Sequence, residues 1–288
     1  MTEVGGIPNP PPIILPSGNW TLHLSSYETQ LLKFETNECS QISVMKCLAT
    51  YCNYLKATNQ WSPAALDFWN SNGYIQADGL FYFSEEFTAI LDGTTINGNI
   101  AQNAWKCVQR YGLLPRSMLQ MTVADSQQYN SEEEQDAAYY NVSRVTPAMY
   151  ALGEASLKFF VLWWGWVGDG TTAISLETFN TALQTAPIQI IIPIPTPVSL
   201  WNQTNVPYTG GTSLEHCDSF YATVMTSTYP ISIDDTYQPH LKYLAENYYI
   251  PIALQGIIIP KTPIADGVVT APSKTWLDEF KEWIIGLT

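Results

Sequence analysis

Glu38, Cys39, Ser40, Gln41 and Ile42 open the stretch of this sequence best suited to chemistry, because they put a thiol at the mouth of an amphipathic helix. Ile42, Val44, Met45 and Leu48, then Cys47, Tyr51, Cys52 and Leu55, recur at spacings of one or two buried helical stripes, and Thr36 or Asn37 can cap the start. A thiol in the first turn meets unpaired N–H groups and the positive end of the dipole, which favours thiolate, the form that attacks carbonyls. Free cysteine is also among the most buried residue types, so a packing role is the other reading of Cys39. A cysteine hydrolase further needs a histidine to take and return a proton, and a polar group to hold the imidazole in the useful tautomer. The chain offers three histidines: His23 beside a proline-rich segment, His216 at the opening of a strand-like run, and His240 after Pro239 in a polar turn.

The run from Cys39 to Leu48 resembles the active-site helix of papain-like cysteine peptidases, with Ile42, Ser43 and Val44 in the place of that family's Phe-Ser-Ala. Phe83-Ser84-Glu85-Glu86-Phe87 is similar to the family's Ser-Glu-Gln segment, which opens a helix. Asn97-Gly98-Asn99, followed by residues 104–113, is similar to the turn and the helix ending in Tyr-Gly-Leu that closes the first papain domain. The resemblance implies an α+β, two-lobed fold, with a helical left lobe and a β-rich, barrel-like right lobe. It also implies hydrolysis of a peptide or amide bond in a peptide or protein substrate.

By the same resemblance Cys39 is the nucleophile. His216, with Cys217 in the family's small-residue place, is the proton carrier. The run from Ile231 to Tyr237 is similar to an apolar strand ending in Asn-Ser-Trp, which puts Asp235 where the family has asparagine and leaves Asp234 as the competing register. An aspartate accepts from an imidazole N–H as asparagine does and stabilises imidazolium more strongly. For the oxyanion donor there are two candidates: Gln30, the sole glutamine before Cys39, and Lys33, which lies at the family's usual separation. Ser40 stands where the family prefers an aromatic, and Thr36 where it often has a disulfide-forming cysteine. The separation of Cys39 and His216 exceeds the roughly 130–150 residues usual in the family, which an insertion around residues 126–170 accounts for. Divergent papain-like sequences are also similar to bacteriophage-encoded proteins. That implies a second reading, a virion or assembly component using the fold as a binding module, with other assembly proteins as partners of its N-terminal arm.

Composition limits the alternatives. A net charge of −14 with 12 Lys and Arg argues against nucleic acid and anionic membranes as partners. With 46% hydrophobic residues the chain is globular, and five cysteines without a C-x-x-C pair form neither a disulfide framework nor a zinc ribbon. No phosphate loop, His-Glu-x-x-His or calcium loop occurs, so no cofactor or metal is expected. The N-terminus reads as lacking a secretion signal, and together with the cysteine usage this suggests a reducing cytoplasm or a virion. The most apolar run, residues 157–167, is too short for a bilayer and reads as a buried helix or strand. The 10 Trp and 17 Tyr with scattered acid pairs admit a carbohydrate-active protein, but nothing fixes two carboxylates at a working separation.

These residues need elements to position them. Residues 1–26 read as a proline-rich extended arm, whose Ile13, Ile14 and Leu15 suggest docking, with another chain favoured as the surface. Residues 27–125 read as helical, with helices at 39–56, 62–71, 84–91 and 99–111, and residues 126–136 as a connection or solvated helix. Helical patterns follow from Pro147 and from Ser175. Strand-like runs then begin at Pro187, Leu214, Pro230 and Pro251, so that residues 126–260 form a mainly β lobe carrying the histidine and aspartate. Residues 261–288 form a tail with an amphipathic helix over 274–285.

Overall fold

Residues 12–26, 30–168, 170–224 and 227–261 are described by a computed structural model of the chain. Its helices run in order α1 (Cys39–Ala57), α2 (Pro63–Ser71), α3 (Glu85–Asp92), α4 (Ala101–Tyr111), α5 (Val123–Ser126), α6 (Glu132–Tyr139), α7 (Pro147–Ser156) and α8 (Leu176–Leu183). The strands are β1 (Phe160–Val167), β2 (Ile188–Ile192), β3 (Asn205–Val206), β4 (His216–Thr223), β5 (Ile231–Asp234), β6 (Leu241–Leu244) and β7 (Ile252–Pro260). Local chemistry sets several boundaries. Ser62 accepts from Ala65 N ahead of Pro63, and Ser84 accepts from Phe87 N with Glu85 and Glu86 in the first turn. Among the described residues no helix is long and apolar enough to cross a membrane.

The strands form one sheet in the order β1-β7-β2-β4-β5-β6-β3. All pairs are antiparallel except β3 with β6. The α+β class is as expected, but the sheet is open rather than barrel-like. Its edges are β1 and the two-residue β3, at opposite ends of the order, and so short an edge offers little backbone to close a barrel.

Helix α1 lies between the sheet and the other helices, packing on β4, β2 and β7 on one side and α3 and α4 on the other. Burial nearly all round explains why it mixes apolar residues with polar ones that each find a partner. Gln41 Nε2 donates to Asp92 Oδ2 and Thr94 Oγ1 at 2.7 Å each, tying the first turn to the end of α3. On the sheet side Gln189 of β2 donates to Ser40 O at 2.9 Å and to Ser43 Oγ at 2.8 Å. Trp105 of α4 bonds Gln189 Oε1 at 2.8 Å, and its ring fits over β7 because residue 256 is glycine: a Cβ there would sit 2.2 Å from the indole. The segment 126–136, expected as a connection or solvated helix, runs from the end of α5 into α6, and α6 is partly buried. Gln135 is buried against the backbone of Phe34, and Tyr139 OH donates to Glu38 Oε2 at 2.6 Å, bracing the loop that leads into α1.

The described part of the arm makes contacts with its own chain. Ile14 and Leu15 donate to Gln184 O at 2.8 and 2.9 Å, Tyr54 OH bonds Ile14 O, and Trp20 Nε1 bonds Leu183 O. Residues 1–11 and the amphipathic run 274–285 lie outside the described residues. The apolar run 157–167 starts at the C-cap of α7 and continues as strand β1.

Candidate active site

Cys39 is the first residue of α1 and half-buried. Neither Thr36 nor Asn37 caps the helix. Glu38 is the N-cap and makes no side-chain cap bond, while Thr36 Oγ1 turns to Gln30 O and Glu38 Oε1. The positive end of the α1 dipole therefore stays uncapped beside the thiol. Opposite, β4 begins at His216, so the sheet delivers His216 and Cys217 to the cleft that Cys39 lines. Cys217 first, and then the His216 ring, hold the Cys39 pKa well below that of an ordinary thiol, although burial opposes them. Burial pushes Cys47, Cys52 and Cys107 upward, so of the cysteines Cys39 is the one poised as thiolate.

His216 is 4% exposed and held on several sides. Its Nε2 lies 2.8 Å from Asp235 Oδ1, Trp201 meets the ring edge-on at 5.6 Å, and Tyr237 lies at 5.4 Å. Asp235 also accepts from Thr236 N at 2.6 Å and from Lys242 Nζ, whose ammonium stands 4.8 Å over the Trp201 ring. Burial alone would raise the Asp235 pKa, but His216 and Lys242 hold it well below the carboxylate range. For His216 burial works downward, and the carboxylates of Asp218 and Asp235 more than reverse it, so its pKa lies well above that of a free imidazole.

Of the adjacent aspartates, the structure brings Asp235 to His216. Asp234 faces away, 2.7 Å from Nζ of Lys46 in α1, a pair in which both side chains are almost fully buried. His23 packs against Trp20 and Tyr54, and His240 Nδ1 lies 2.9 Å from Asp235 O. Lys33 points elsewhere, its Nζ bonding Tyr129 O at 2.5 Å and Gln127 O at 3.3 Å. Gln30 lines the cleft with Cys39, but its amide is occupied: Nε2 donates to Glu35 Oε1 at 2.6 Å and to Tyr237 OH at 2.5 Å.

The cleft encloses about 450 Å³, with Asn97, Gly98 and Asn99 on the helical side and Trp166, Ile191 and Ile252 on the sheet side. His216, Asp218 and Asp235 bring donor atoms within 4.8 Å of one another, a spacing a metal ion could use. Asp235 is already bonded to His216, Thr236 and the Lys242 ammonium, which would repel an added cation, so the set is an ion-pair network with no ligand role assigned. Asp218, Lys242 and Trp201 were not singled out from the sequence. The signal for Asp218 was present, since residues i and i+2 of a strand share a face and His216 begins one. Trp201 and Lys242 lie in segments with no regular pattern pointing to the histidine.

No family model matches the sequence, and no curated protein matches it. The structure is similar to that of xylellain, a cysteine protease from Xylella fastidiosa, with a TM-score of 0.55, 11% identity, and 85% of each chain covered. It is also similar to the proform of the Amb a 11 cysteine protease, a major ragweed pollen allergen, with a TM-score of 0.50 and 13% identity over 83% of this chain. The chain spans 64% of that proform. At these identities the likeness is one of fold, and the fold is the α+β papain-like one.

Proposed function

We propose that this protein hydrolyses peptide or amide bonds through Cys39, His216 and Asp235. The observation that carries the reading is that Cys39 and His216 line one cleft, the thiol held low in pKa by Cys217 and His216, while His216 Nε2 lies 2.8 Å from Asp235 Oδ1. The Cys39 thiolate attacks the substrate carbonyl carbon, forming a C–S bond and moving the carbonyl electrons onto oxygen. As that oxyanion collapses the C–N bond breaks, and His216 gives its proton to the departing nitrogen. The neutral imidazole then takes a proton from water, the hydroxide attacks the thioester, and Cys39 leaves as thiolate with imidazolium restored. Asp235 holds the ring through Nε2, so the other nitrogen, Nδ1, is left to serve the thiol and the substrate.

The developing oxyanion is served by the Cys39 backbone N–H and by the Gln30 amide, once a substrate carbonyl draws Nε2 away from Glu35. Peptide or protein chains are the substrates this cleft is suited to, entering between the Asn97 turn and the Trp166 edge. Free thiols at all five cysteines suit a reducing compartment.

The test is turnover of a mixed fluorogenic peptide library by the wild type and by Cys39→Ala. Turnover that vanishes in the variant, with folding intact, supports the reading. An inert wild type would favour the alternative, a papain-like module that binds within an assembly.

A further inference from the structure

Two carboxylates, not one, meet the Nε2 edge of His216. The nitrogen carries a single hydrogen, and Asp235 at 2.8 Å takes it. Asp218 Oδ1 lies 3.4 Å from the same nitrogen, its residue is 1% exposed, and neither of its oxygens has a hydrogen-bond partner. A buried carboxyl without partners is unfavourable, and an apolar residue on β4 would avoid that cost. Among the described residues, the cationic group that pairs with it is the His216 ring.

We propose that Asp218 is a positioning residue: with Asp235 it clamps the imidazolium of His216, and it extends to higher pH the range in which the Cys39 thiolate and the His216 imidazolium coexist. The inference rests on the reading of His216 as the proton carrier.

The surrounding charges favour this arrangement. From α1 the cluster is faced by Cys39 and, beyond Asp234, by Lys46; from β4 by Cys217; and from β5 and its following turn by Asp234, Asp235, Tyr237 and His240. Lys242 approaches from β6 and is bonded to Asp235, and Tyr248 stands near Asp218. Strand β2 brings no titratable group, since it is Ile188, Gln189, Ile190, Ile191 and Ile192. Lys242 compensates Asp235, which leaves Asp218 to respond to the proton on His216. Burial, then Asp235, push the Asp218 carboxyl up to about 7, and above that pH its charge stands beside the imidazolium and favours the proton on it.

The experiment is an NMR pH titration of the His216 imidazole in the full-length wild type and in Asp218→Asn, with the pH profile of Cys39 alkylation by iodoacetamide followed in parallel. The amide keeps the shape and removes the charge. The expected result is a His216 midpoint lowered by about one pH unit or more in the variant, the size of shift a nearby carboxylate produces. The alkaline limb of the alkylation profile should move with it, and the melting temperature should not fall. An unchanged His216 titration overturns the proposal.

The wild type alone gives a second readout. With carboxyl-labelled aspartate, Asp218 should titrate near neutral pH, and a midpoint in the ordinary carboxylate range overturns the proposal even if the variant does not fold. Neither measurement uses hydrolysis, so a protein without peptidase activity would defeat the preceding reading and leave this one to be decided by the titrations.

Discussion

Asp235 presents Oδ1 to His216 Nε2 at 2.8 Å, while the residue before it, Asp234, turns its carboxylate to Lys46. Side chains of successive strand residues point to opposite faces, so at the end of β5 only one of two adjacent aspartates can reach β4 on the histidine side. The other binds α1 to the sheet.

This division predicts opposite phenotypes. Asp235→Asn should lower turnover by about 10²–10⁴-fold, since it loses the charge that supports imidazolium. Asp234→Ala should leave turnover near wild type but cost about 3–5 kcal/mol, because it strands the Lys46 ammonium in the interior. Steady-state kinetics and denaturant unfolding on the two variants check this. Exchanged phenotypes would show that Asp234 serves the histidine.

Gly256→Ala should destabilise the protein although it lies on β7, away from the thiol. The added Cβ would meet the Trp105 indole, and overpacking of that kind costs about 1–3 kcal/mol. Trp105 also holds Gln189, which bonds Ser40 O, so a shift of the indole should pass to the first turn of α1. Melting temperature and Cys39 alkylation rate together test this. A loss of stability with no change in alkylation would separate the packing from the site.

Stability should be greater near pH 5 than near pH 8. Asp218 and Asp136 have folded-state pKa values raised to about 7 and about 6 from 3.8, mainly by burial. Between the unfolded and folded values the native state binds more protons, so the stability linked to these groups is present below about pH 4 and is lost as pH rises through 6 and 7. His216, raised in the native state, acts in the same direction. Asp235, lowered in the native state, loses its contribution only in stronger acid, as pH falls through its folded value. Thermal unfolding across this range should flatten in Asp136→Asn; an unchanged slope would remove Asp136 from the explanation.

Glu35→Gln should raise kcat/KM by about threefold or more. Its carboxylate occupies the Gln30 amide and places negative charge beside the position proposed for the oxyanion, and removing that charge favours the transition state. A lowered kcat/KM would mean instead that Glu35 is needed to hold Gln30 in place.

Much of the fold was legible because its signals are local. The Ser62 and Ser84 caps, the glycine turns and the β-branched runs of β2 and β7 each announce an element within a few residues. Strands β3 and β6 were not anticipated. One has two residues, and the other, Leu-Lys-Tyr-Leu, hides a buried lysine whose partner, Asp235, lies just past the end of the adjoining strand. At the site, sequence motifs singled out Cys39 and His216, yet their meeting depends on β4 starting opposite the first turn of α1. The capture of the Gln30 amide by Tyr237 and the choice between Asp234 and Asp235 depend on long-range pairing, which no local pattern encodes.

The central claim is that Cys39 becomes acylated. Reaction with an activated peptide ester, quenched in acid and mapped by mass spectrometry, tests it most directly. The account predicts an acyl thioester on Cys39 alone, formed by the wild type and strongly reduced in His216→Ala. Hydrolysis of the ester with no adduct on Cys39, or acyl groups spread over the buried cysteines, would contradict it.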